Sequence, residues 1–132
     1  MPEVLVFMRR PFVVVTMLVA LLGSALSASF EIDGDLMRGI EDTAKSLDSH
    51  VSLKDAQAVA EAKELAELFT QIEAFYARKG DAADGVGFAR NSHALALQAQ
   101  QAAQARDFDA AADAVGKLIR SCKTCHQVYK RE

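Results

Sequence analysis

The stretch that decides the reading is "DFDAAADAVGKLIRSCKTCHQVYKRE", residues 107–132. Phe108, Ala111, Val115, Leu118, Ile119, Cys122, His126 and Tyr129 recur along it at spacings of three and four, the period of one helix face. Asp107 stands just ahead of that face, where a carboxylate can accept a first-turn N–H. The inward stripe of this helix therefore runs through Cys122 and His126 of a C-x-x-C-H motif, whose second cysteine is Cys125. The whole chain has only two cysteines, and both are here.

Working outward, three further segments keep the helical period. The first runs from about Asp35 to His50, with Met37, Ile40, Ala44, Leu47 and Val51 on one face. The second opens with "SLKD", where Ser52 and Asp55 fit a capping box. Its apolar face passes through Leu65, Leu68, Phe69, Ile72, Phe75 and Tyr76, and Gly80 is placed to end it. "GDAADGVG", residues 80–87, reads as a flexible connection. The third helix is expected over Gly87 to Ala105, with Phe88, Leu95 and Ala99 inward. No segment carries a strand period, and the two prolines both lie near the N-terminus. The expected fold is all-α: an antiparallel up-down-up-down four-helix bundle. That order puts the start of helix one, the end of helix two, the start of helix three and the end of helix four at one end of the bundle. The C-x-x-C-H motif belongs to that end.

Ahead of the bundle, Arg9 and Arg10 precede the apolar run "PFVVVTMLVALLG" and the small-residue stretch "SALSAS". A basic start, a short apolar run and small residues make a secretory signal. The run is shorter than the roughly 20 residues that a bilayer crossing needs. Residues 1–28 are thus expected to be a signal peptide cleaved between about 25 and 28, leaving 29–132 as one domain exported to the periplasm. From Ser29 onward there are 13 basic and 17 acidic residues. No basic cluster is interleaved with aromatics, so nucleic acid is not an expected partner. Removal of the signal leaves nothing expected to span a membrane.

Four chemistries compete for the cysteine pair. A disulfide three residues apart inside a helix would close a tiny loop and leaves His126 unexplained. Structural zinc needs four ligands, and only His50 and His93 remain, distant and unpaired. A thioredoxin-like couple belongs at a helix start in a βαβ unit. Covalent haem attachment uses all three residues: two thioethers from Cys122 and Cys125, and His126 directed at the iron.

The C-terminal run "CKTCHQVYK" resembles the C-x-x-C-H-x-x-Y-[KR] ending of class II c-type cytochromes, the cytochrome c′ and c-556 group. The resemblance spans about the whole mature chain. It implies one haem c with its iron, held in a four-helix bundle, in a monomer or homodimer. In that group the first helix supplies the residue over the distal haem face, and six-coordinate members use a methionine there. It also implies that an arginine of the first helix, here Arg38, pairs with a haem propionate.

Met37 is the only methionine after the predicted signal. Its inward position near the start of helix one makes it the candidate distal ligand, with an ordinary core methionine as the alternative. His93, two turns into helix three, is the competing ligand. His50, about 20 Å along the first helix from Met37, is expected to be a surface residue. Phe75 and Tyr76 are expected to wall the haem pocket, and Tyr129 to pack on the haem or offer its hydroxyl to a propionate. No nucleophile–base pair, carboxylate pair or phosphate loop accompanies them, so the chain is expected to turn over no substrate. Two functions follow. With His/Met ligation the protein is an electron carrier for redox partner proteins, docking through Lys117, Arg120, Lys123, Lys130 and Arg131. With a five-coordinate iron it binds small gases, nitric oxide or carbon monoxide.

Overall fold

The carboxylate of Asp33 accepts the N–H of Leu36 at 2.8 Å and starts the first helix, α1, Gly34–Ser52. Three more helices follow in the computed structural model, which describes residues 29–129: α2, Gln57–Lys79, α3, Ala83–Gln104, and α4, Phe108–Tyr129. Among the described residues there are no strands. The expected signal segment, and the tip residues Lys130 and Arg131, lie outside them. No described helix is long and apolar enough to cross a membrane.

The helices pack as a ring. α2 lies against α3 and α3 against α4 over most of their lengths, and α1 closes the ring with fewer contacts to α2 and α4. This is the expected four-helix bundle. Its core is built from the stripes that the period marks: Leu47, Leu65, Val115 and Leu118 are wholly buried, with alanines such as Ala58, Ala62, Ala96, Ala99 and Ala111 sealed between them. Each buried leucine contributes about 1.5–3 kcal/mol, and the alanines allow close helix approach. The face of α1 that turns inward is Ile40, Ala44, Leu47 and Val51, as the spacing predicts.

The helix ends depart from expectation in two places. Ser52 and Asp55 do not form a capping box, because Ser52 is still inside α1 and its hydroxyl donates back to the Asp48 carbonyl at 2.9 Å. Instead Lys54 takes a left-handed conformation (φ 55°), its N–H donates to the Val51 carbonyl and that of Asp55 to the His50 carbonyl. Paired bonds of this kind close a Schellman motif, ordinarily made with glycine at the left-handed position. The Asp55 carboxylate then accepts the N–H of Gln57 and starts α2. The connection from α3 to α4 repeats the device. Arg106 is left-handed (φ 58°), Arg106 and Asp107 donate to the Ala103 and Ala102 carbonyls, and the Asp107 carboxylate accepts the N–H of Ala110.

At the other end Gly80 terminates α2 in the left-handed region (φ 74°), as expected. The glycine-rich stretch after it is not a long loop. Only Gly80 to Ala82 connect, and α3 begins at Ala83 rather than at Gly87. The reason is Gly85, which lies face-on to the Tyr76 ring: a Cβ built there would fall 2.6 Å from the ring's Cγ. The absent side chain lets the first turn of α3 dock on α2, and docking keeps that turn helical despite two glycines.

Candidate functional site

The ring order brings the start of α1, the end of α2, the start of α3 and the end of α4 together, and they enclose a cavity of about 940 Å³. Its volume lies near the upper end of the range typical of small-molecule and cofactor sites, about 300–1,000 Å³. All eight side chains singled out in the sequence line it: Met37, Arg38, Phe75, Tyr76, Cys122, Cys125, His126 and Tyr129. His93 does not, and His50 lies on the far part of α1. Phe88 lines the cavity only partly buried and does not pack in the core.

α4 supplies the chemistry. Cys122 and Cys125 are three residues apart, so they sit about one turn apart on neighbouring parts of one face. Both are free thiols, each partly buried. Burial pushes the Cys122 thiol above its usual pKa, and the nearby Cys125 and Glu41 push it further; burial alone raises Cys125. Thiols held protonated in this way differ from the thiolate of a disulfide oxidoreductase, whose pKa is depressed. No group of three or more His, Cys, Asp and Glu side chains suited to hold a bare metal ion occurs among the described residues. His126 follows, an exposed residue that lines the same cavity.

The aromatic wall comes from α2 and α4. Tyr76 and Tyr129 pack with ring centres 4.9 Å apart, Phe75 meets Tyr76 edge-on at 5.5 Å, and Phe30 meets Phe75 at 6.5 Å. The Tyr129 hydroxyl accepts the backbone N–H of Gly85 at 3.0 Å, tying the last turn of α4 to the first of α3. Burial, then the proximity of Cys125 and Tyr129, raises the Tyr76 pKa, so its phenol keeps its proton.

Arg38 reaches the cavity lip but is ion-paired with Asp35, one turn back on α1. Lys117 is likewise paired with Asp113 at 2.6 Å, whereas Arg120 and Lys123 are exposed on the same helix. Several wall residues escaped the sequence reading. Ser92 is buried and shares a 2.9 Å hydrogen bond with Ser121, which also accepts from the Asn91 amide at 3.2 Å. These groups lie about 30 positions apart in sequence, on different helices, with no shared motif to link them. Lys79, held 4.9 Å over the Phe75 ring, also lines the cavity. Its place in the last turn of α2 was a readable signal, since cations collect at helix C-termini.

Away from the cavity, His50 is not the free surface residue expected. Its Nδ1 lies 2.8 Å from a carboxylate oxygen of Glu61 on α2, and the other oxygen accepts from the Ser46 hydroxyl at 2.6 Å. The bridge is half-buried and raises the His50 pKa.

The fold and the site together define an all-α bundle whose open end presents two thiols, an imidazole and a thioether to one cavity. No protein-family model, curated protein or solved structure matches the chain.

Proposed function

We propose that the protein is an exported monohaem c-type cytochrome of the class II kind, working in the periplasm as an electron carrier. The observation that supports this most is the convergence of Cys122, Cys125, His126 and Met37, drawn from the two ends of the chain, on one 940 Å³ cavity. The residues fit the group. Cys122 and Cys125 would each add S–H across one vinyl group, sulfur to one carbon and hydrogen to the other, leaving two thioethers and consuming no oxidant. His126 would serve as proximal ligand and Met37, across the cavity on α1, as distal ligand. Bound haem supplies a one-electron couple, and thioether ligation raises its potential. The chain's own part is to hold both ligands on packed helices and to keep water from the aromatic side of the cavity. Redox partner proteins would meet the open end, where Arg120 and Lys123 put positive charge beside the site.

The deciding experiment is expression in a bacterial host with haem-attachment machinery, followed by denaturing electrophoresis and a haem peroxidase stain. A stained band at the mature mass, lost in the Cys122→Ala/Cys125→Ala double variant, is expected. A colourless wild-type band would overturn the reading.

A further inference from the structure

Tyr76 retains only 8% of its exposure. Its hydroxyl nevertheless makes no hydrogen bond to a described residue, although no fully buried side-chain nitrogen or oxygen among them lacks a partner. Both hold together only if the phenol oxygen keeps some exposure, and Tyr76 lines the cavity. Beside it, Tyr129 uses one lone pair to accept the Gly85 N–H. Its own O–H remains available, because a phenol both accepts and donates. Two phenols, their ring centres 4.9 Å apart, thus stand on one wall with O–H donors that no described residue takes.

An acceptor is what such a wall lacks. Arg38, whose fork suits a carboxylate, stands exposed at the lip in an ion pair with Asp35 and makes no hydrogen bond to the tyrosine wall. Asp33 and Asp81 put negative charge on other parts of the lip, where Glu41 is ion-paired with Lys45. On the tyrosine side the charge is reversed, since Lys79 lies over Phe75, the neighbour of Tyr76. A small free carboxylate would leave most of a 940 Å³ space unfilled, so the acceptor belongs to a large apolar body.

We propose that Tyr76 and Tyr129 form a carboxylate-binding wall, their hydroxyls donating to a propionate of the macrocycle in the cavity. The assignment rests on the haem reading above and moves the anchoring role from Arg38 to the two tyrosines.

The test uses the full chain made without attachment machinery, titrated by fluorescence with metal-free protoporphyrin IX and with its dimethyl ester. Charge-assisted hydrogen bonds are among the stronger ones, so wild type is expected to bind the diacid on the order of tenfold more tightly than the diester. Tyr76→Phe and Tyr129→Phe are each expected to lower diacid affinity severalfold, on the order of tenfold at most, with diester affinity held within about twofold. The diester serves as the internal control for folding. Equal loss of both ligands would show a merely structural role and overturn the proposal. So would full diacid preference in Tyr76→Phe and Tyr129→Phe, or loss of that preference in Arg38→Gln alone; the haem reading survives either result. Failure of wild type to bind either porphyrin overturns the carboxylate wall, while the haem reading still stands or falls by the peroxidase stain.

Discussion

Gly85 and Tyr76 meet so closely that the backbone of α3 lies where any other residue would put a side chain into the ring, 2.6 Å from its Cγ. Tyr76 is buried and its ring is wedged between Phe75 and Tyr129, so it has little room to yield. Gly85→Ala is therefore expected to destabilise the fold by about 1–3 kcal/mol, the usual cost of overpacking. The urea midpoint should fall with little change in slope. An unchanged midpoint would show that α3 can slide away from α2 freely.

Met37 decides between the two functions. In the electron-carrier reading, ferric and ferrous spectra are low-spin, and Met37→Ala converts them to high-spin with ready carbon monoxide binding. If wild type is already high-spin and takes up carbon monoxide, Met37 only lines the wall and the protein is a gas binder. Low-spin character that survives Met37→Ala but not His93→Ala would put the ligand on α3, against the absence of His93 from the cavity wall.

The His50–Glu61 bridge should appear as a pH dependence of stability. Glu61 favours the imidazolium, so the folded state keeps the His50 proton to higher pH than the unfolded chain does. The bridge's contribution is complete below the ordinary value of 6.5 and disappears as pH rises through the folded value above it. Comparing wild type with His50→Gln by urea unfolding between about pH 5.5 and 8.5, the wild-type advantage should shrink as pH rises. An advantage that grows with pH would contradict the bridge.

Lys54 makes the opposite kind of prediction. A left-handed conformation costs a residue with a Cβ about 1–2 kcal/mol, and glycine's greater freedom in the unfolded chain returns about half of that. Lys54→Gly should thus stabilise the protein by about 0.5–1 kcal/mol, read as a higher melting temperature. Arg106→Gly should gain less, because Arg106 also lies 5.9 Å over the Phe108 ring.

How far the sequence could be read follows the range of each interaction. The stripes of α1, α2 and α4 were legible because burial of Leu47, Leu65 and Leu118 leaves a local period. The grouping of Met37, Tyr76 and Cys122 at one end followed from helix order alone. What was missed depends on contacts across helices. Gly85 looked like linker until Tyr76 stood behind it, and His50 looked solvated until Glu61 faced it. Ser52 and Asp55 fit a capping pattern, but a lysine in glycine's usual conformation leaves no compositional trace. The Asp35–Arg38 pair is the exception, since three residues' separation on one helix could have revealed it.

The uneven grip on α1 has a mechanical consequence. This helix touches its neighbours least, is clamped at one end by His50 and Glu61, and carries Met37 about 20 Å away at the other. Ile40, Ala44 and Leu47 are buried along the helix between the two, so any influence of the bridge on Met37 has to travel through that stripe. Under the ligation proposed above, substitutions at His50 or Glu61 that never touch the site would be expected to alter how long a group stays held at the Met37 sulfur.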